Sequence, residues 1–216
     1  TPSLAYLLLT KIRAVTDQPV VKVIVTHYHA DHIYGLQVFK DIGAEILAPL
    51  GAKDYLSSPA GEGRLKQRRE SLFPWVDENT HLVTPDTYVS EKTRFQFGGL
   101  DFELTPLGST HSQGDLIVNI VQEGVTFAGD LIFEGRIPFV AGAQPQQWVE
   151  NLTNMDASKL KVIVPGHGAA STSPSTAVDF TLGYLQFLQK YLGEAVENLV
   201  PFDEAYSSMD WSQYEK

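Results

Sequence analysis

Apolar positions recur along the first part of the chain with two different periods. Over residues 3–16, Leu4, Leu7, Leu8, Ile12 and Val15 return at helical spacing, and Asp17-Gln18-Pro19 ends the pattern, so an amphipathic helix is predicted there. Residues 20–25 are rich in β-branched valine and bounded by proline and a polar loop, the pattern of a strand buried on both faces. Ile33, Leu36, Phe39 and Ile42 then write a second helix face. Gly43 stops it, and 44–49 is another short strand, which establishes β-α-β alternation.

Residues 51–86 break the rhythm. Gly51, Pro59, Gly61, Gly63, Pro74 and Pro85 interrupt any period, and a basic run, Arg64-Leu65-Lys66-Gln67-Arg68-Arg69, reads as a solvated helix face. Leu72, Phe73 and Trp75 beside it make the segment a candidate lid or pocket wall. From 87 onward short strands are predicted at 87–90, 93–98, 100–107, 115–121 and 124–128, with hairpin signals at Gly98-Gly99 and Glu123-Gly124. A helix over 146–155, a strand over 161–164 and a long helix over 174–199 follow. Val178, Leu182, Leu185, Leu188, Leu192 and Val196 form the apolar stripe of that last helix.

Against this pattern one junction stands out chemically. Directly after the apolar run at 20–25, the stretch Thr26-His27-Tyr28-His29-Ala30-Asp31-His32 offers four metal-ligating side chains within six positions, and three of the six histidines of the chain fall there. Neutral imidazoles and carboxylates are what divalent zinc takes, and the end of a strand holds them on fixed backbone. His27 and His29 are two apart, so in an extended segment they leave on one side and can share an ion. Asp31 and His32 turn into a helix and face a second position. Downstream, His111, Asp130 and His167 each fall at or just after the end of a strand-like run. His81 has no such context and reads as a surface histidine.

Composition narrows the field without naming a reaction. With 216 residues, 43% hydrophobic and 19% charged, the chain fits one large domain spanning 1–216. No run is long enough for a membrane-spanning helix. Sixteen basic against twenty-six acidic residues leave a formal charge of −10, which argues against a nucleic-acid partner. The absence of cysteine excludes disulfides and thiolate ligands and leaves the compartment open between cytoplasm and periplasm or secretion.

The run His27-x-His29-x-Asp31-His32, followed in order by His111, Asp130 and His167, resembles the metal-binding motif set of the metallo-β-lactamase superfamily, in its glyoxalase-II-like and lactonase-like version with a bridging Asp. The likeness runs from the strand at 20 to Pro165-Gly166-His167-Gly168. It implies an α/β fold, an αββα sandwich of two mixed β-sheets flanked by helices, with further strands expected ahead of Thr1. It implies that His27, His29 and His111 hold a first zinc, that Asp31, His32 and His167 hold a second, and that Asp130 bridges them. Asp31 and Asp130 are the carboxylates assigned to catalysis, and Asp115 to supporting the loop of His111. The expected enzyme is a soluble, bacterial-type hydrolase that uses a zinc-bridging hydroxide on an ester, thioester, lactone or β-lactam of a small molecule. Alternatives on the same fold are a persulfide dioxygenase with one Fe2+ on His27, His111 and Asp130, and a dinuclear phosphodiesterase. Substrate contacts are not written in the motifs; Trp75, Phe133, Arg136 and Phe139 are the candidates.

Overall fold

The computed structural model describes residues 1–214, which divide into two compact units. The first comprises Thr1–Thr93, Leu104–Gly108 and Ser112–Leu116; the second comprises Arg94–Glu103, Ser109–His111 and the chain from Ile117 onward. Among the described residues no helix is long and apolar enough to cross a membrane.

In the first unit, β1 (Lys22–Ile24), β2 (Glu45–Pro49) and β3 (Thr87–Val89) form a parallel three-stranded sheet in the order β1-β2-β3. β2 lies in the middle, and its Ile46 and Ala48 are fully buried. Lys22 stands opposite Glu45 in the register and pairs with it across the strands. The predicted strand at 20–25 is therefore shorter than expected and is not buried on both faces: Val21 is exposed and residues 22–24 are half-buried. Its β-branched residues signal a strand, yet β-branching alone does not say how many faces are covered.

The first helix, α1 (Pro2–Arg13), is present, but its buried face is Ala5 and Leu9, with Ile12 packed alongside. Of the expected stripe, Leu4, Leu7 and Leu8 are more than half exposed and Val15 is 84% exposed. Three consecutive leucines at 7–9 put apolar side chains on several faces, so periodicity did not select the one that packs. The second predicted helix is two short ones, α2 (Ala30–Ile33) and α3 (Leu36–Asp41), separated at Tyr34-Gly35. The segment expected to be irregular contains α4 (Ala52–Leu56) and α5 (Pro59–Ser71). Ser58 caps α5 by accepting the Gly61 N–H at 3.3 Å, and Pro59 occupies the first turn, where its missing N–H costs nothing. Within the basic run of α5, Arg69 donates to the carbonyls of Asp77 and Thr80 at 2.9 and 2.7 Å and so ties down the loop that follows.

A five-stranded sheet has the order β4 (Thr93–Phe97), β5 (Leu100–Gly108), β6 (Asp115–Ile120), β7 (Val125–Phe133) and β8 (Val162–His167); β7 and β8 belong to the second unit. β6 and β7 are antiparallel, β7 and β8 parallel. The expected hairpin at Gly98-Gly99 is present, both residues having positive φ (60° and 81°), as a tight two-residue turn requires. β7 runs five residues further than predicted and β8 reaches His167, so Asp130 and His167 lie on strands rather than just beyond them. Register shifts between Phe127 and Gly129 and between Gly129 and Phe133 mark the irregular stretch of β7 that carries Asp130.

Helices α6 (Pro145–Thr153), α7 (Pro174–Glu197) and α8 (Phe202–Ser208) complete the unit, and α7 packs on β7, β8 and both other helices. Its buried residues include Ala177, Val178, Thr181, Tyr184 and Leu185. The predicted stripe holds for the first half only; Val196 is 73% exposed, and α8, absent from the sequence reading, packs against α7.

Candidate metal centre

In the first unit the ligand run begins where strand pairing gives way. Val25 N–H still donates to Leu47 O and Thr26 O accepts from Leu116 N–H, both at 2.8 Å, so the backbone on each side of the junction is fixed. His27 follows, fully buried, with Nδ1 3.2 Å from Thr26 Oγ1. His29 leaves on the same side, its ring 4.7 Å from that of His27 and nearly perpendicular to it. Tyr28, between them, stacks instead on Tyr55 at 4.4 Å, as the alternation of an extended segment demands. Burial raises the Tyr28 phenol above its ordinary pKa, opposed by a hydrogen bond with the Gln113 backbone.

His29 immediately precedes α2, so Asp31 and His32 sit in its first turn. His32 Nε2 is 3.3 Å from Asp31 Oδ2, and its ring centre is 4.1 Å from that of His27. His27 with His29, and Asp31 with His32, each bring donor atoms within 4.8 Å of one another. The loop ahead of β6 is shaped by Asp115, which is buried and accepts from Ser112 N at 2.8 Å and Ser112 Oγ at 3.0 Å. That is the supporting role the resemblance implies.

In the second unit His111 is fully buried, and Asp130 on β7 is 5% exposed. Asp130 Oδ2 lies 3.4 Å from His111 Nε2 and 3.4 Å from His167 Nε2. Two donors bound about 2.0–2.1 Å from one tetrahedral ion stand roughly 3.3 Å apart. The spacings at Asp130 and at Asp31–His32 therefore suit pairs of donors sharing an ion, and imidazole with carboxylate is a donor set that zinc accepts. Gly166 makes room for this arrangement, since a Cβ there would overlap Asp130 Oδ1.

The remaining predicted residues are placed as follows. Phe133 is fully buried, stacked on His167 at 5.6 Å and tilted against His111 at 5.8 Å, the position of a wall behind the ligands rather than of a substrate contact. Phe139 is 55% exposed with its ring edge toward His111 at 6.3 Å. Arg136 and Trp75 are exposed, and so is His81, as expected. Four residues outside the sequence-predicted set touch the candidate residues or their neighbours: Thr26 bonds to His27, Trp148 packs on His111, and Asn151 bonds to Thr110. Thr26 adjoins the motif and was within reach; the Thr110–Asn151 bond spans 41 positions and leaves no local signal.

Residues 1–167 match the profile of the Metallo-beta-lactamase superfamily. A "Metallo-beta-lactamase type 2" from Bacillus cereus is 23% identical over 159 residues, which are 69% of this chain and 52% of that protein, so the chain spans about half the length of this curated relative. Among solved structures, a metallo-beta-lactamase from Pontibacter korlensis superposes with a TM-score of 0.64 at 23% identity, covering 83% of this chain and 75% of that one. The metallo-beta-lactamase IND-7 gives 0.64 at 23%, covering 83% and 74%. Likeness at such identity shows the fold, and it is the α/β fold with helices flanking its sheets that the resemblance implied. With its profile match covering well over half its length, the chain belongs to the metallo-beta-lactamase superfamily.

Proposed function

We propose that the chain is a metal-dependent hydrolase that cleaves an acyl bond, an ester, thioester, lactone or β-lactam, in a small-molecule substrate. The observation that carries this reading is the carboxylate of Asp130, buried, with one oxygen 3.4 Å from the Nε2 atoms of both His111 and His167. A carboxylate so placed can serve two cations at once. His27, His29 and His111 would hold the first ion, Asp31, His32 and His167 the second, with Asp130 between them. Zinc is the metal proposed for both.

When bound, such ions supply Lewis acidity, making water nucleophilic near neutral pH and polarising an acyl carbonyl. The protein's own part is positional. With Nδ1–H of His27 donated to Thr26 Oγ1, Nε2 would be the nitrogen presented to the metal. Phe133 and the buried ring of His111 keep bulk water from one side of Asp130, which strengthens its electrostatic interactions. The Asp31 side chain is 58% exposed, so it is the carboxylate able to take up a proton from the attacking water and pass it to solvent. Phe139 offers an apolar edge beside His111 for the acyl portion of the substrate.

The test is a panel of a β-lactam, a lactone, an acylated thiol and a bis-aryl phosphodiester, run on wild type and Asp130→Asn. Hydrolysis of one of the three acyl compounds, lost with the amide, is the expected result. Turnover of the phosphodiester alone, or equal rates in the two proteins, would refute the acyl-hydrolase reading.

A further inference from the structure

We propose that α6 is the element that sets His111, with Trp148 and Asn151 acting as positioning residues; this rests on the metal reading above. Gln144, at the N-terminal boundary of α6, donates its backbone N–H to Thr110 O at 2.8 Å. Asn151 donates from Nδ2 to Thr110 Oγ1 at 3.0 Å. The fully buried residue that immediately precedes His111 is thus gripped from both ends of one helix, through its carbonyl and through its hydroxyl.

Between those grips Trp148, also fully buried, presents its ring to His111 edge-on, with centroids 5.2 Å apart and planes at 75°. Its Nε1–H donates to Leu131 O at 3.0 Å, the carbonyl next after Asp130. Trp148 and Asn151 are three residues apart and so share a helix face. One face of α6 therefore bonds to the residue before one ligand and to the residue after another, tying His111 and Asp130 to a common rigid body. Phe133 closes the far side, 6.4 Å from Trp148 and stacked on His167.

The physical consequence concerns the ring of His111. Rotation about its χ2 would sweep Nε2 away from Asp130 Oδ2, and the wall formed by Trp148 and Phe133 opposes that rotation. The 3.4 Å spacing is then set before an ion arrives rather than by the ion itself. Indole suits the task because it fills the volume and also satisfies Leu131 O; phenylalanine would do only the first.

Wild type, Asn151→Ala, Trp148→Phe and Gln147→Ala, an exposed position of the same helix, are stripped of metal and titrated with Zn2+ and Co2+. Melting of each metal-free form is recorded alongside. Asn151→Ala and Trp148→Phe are expected to weaken Zn2+ binding by about 10- to 100-fold and to alter the visible absorption of bound Co2+, while Gln147→Ala matches wild type. Unchanged affinity and unchanged Co2+ spectra in both variants, even with lowered melting of the metal-free forms, would show that α6 merely packs and overturn the proposal. A wild type that takes up neither ion would overturn the metal reading itself, and this inference with it.

Discussion

Gly166 and Asp130 meet so closely that the Oδ1 atom of Asp130 occupies the space a side chain on Gly166 would need. The two residues lie on β8 and β7, which pair in parallel, so the sheet itself brings the glycine against the carboxylate. Gly166→Ala should therefore displace the carboxylate from its two histidines. A shift of about 1 Å at a reacting centre costs on the order of 10²-fold in rate. A Cβ there would also meet the Gly129 and Asp130 backbone at 2.7 and 2.8 Å, so kcat/KM is expected to fall by at least about that factor; activity within twofold of wild type would show that the close approach is not needed.

Acid stability is predicted to depend on Asp86. Its carboxylate accepts the Ile46 N–H at 2.8 Å and pairs with Lys40, and these contacts hold it below its ordinary 3.8. A carboxyl group depressed in the folded state contributes stability above its unfolded pKa and loses it as pH falls through the folded value. Asp86→Asn should melt at a lower temperature than wild type at neutral pH, and the gap should close as the pH drops below 3.8. A gap of constant size down to about pH 2 would contradict the assignment.

Tyr34 makes the opposite prediction at the alkaline end. The ring is 1% exposed, its hydroxyl has no hydrogen-bond partner among the described residues, and burial pushes the phenol up from 10.0 to about 12. Because the unfolded chain ionises first, the folded state loses stability as pH rises from 10.0 toward 12. Tyr34→Phe should remove that loss and, at neutral pH, raise stability by roughly 1 kcal/mol, since a buried unsatisfied hydroxyl is deleted. Chemical denaturation at the two pH values decides it, and destabilisation by Tyr34→Phe at neutral pH would refute it.

The candidate site was legible in the sequence because its chemistry is rare and local. Four candidate ligands within six positions after a strand have few other uses, and His111, Asp130 and His167 follow in the order that the resemblance implies. The turn between β4 and β5 was legible from its glycine pair, Gly98-Gly99. The helices were less so. In α1, Leu7, Leu8 and Leu9 blur the period, and the buried face turns out to be Ala5 and Leu9. The basic run at 64–69 was read as a helix face, but Gly61 and Gly63 hid the start of α5, which stands because Ser58 caps it and Leu65 is buried beneath it. Nothing local marked Asn151 or Trp148, whose partners are set by tertiary packing alone.

The central claim is that Asp130 joins two ions, and metal content measures it directly. Emission spectrometry on purified wild type and Asp130→Asn should find about two equivalents of divalent metal, chiefly zinc, in the first and clearly fewer in the second. One iron and no zinc in wild type, or two equivalents retained by Asp130→Asn, would contradict the account.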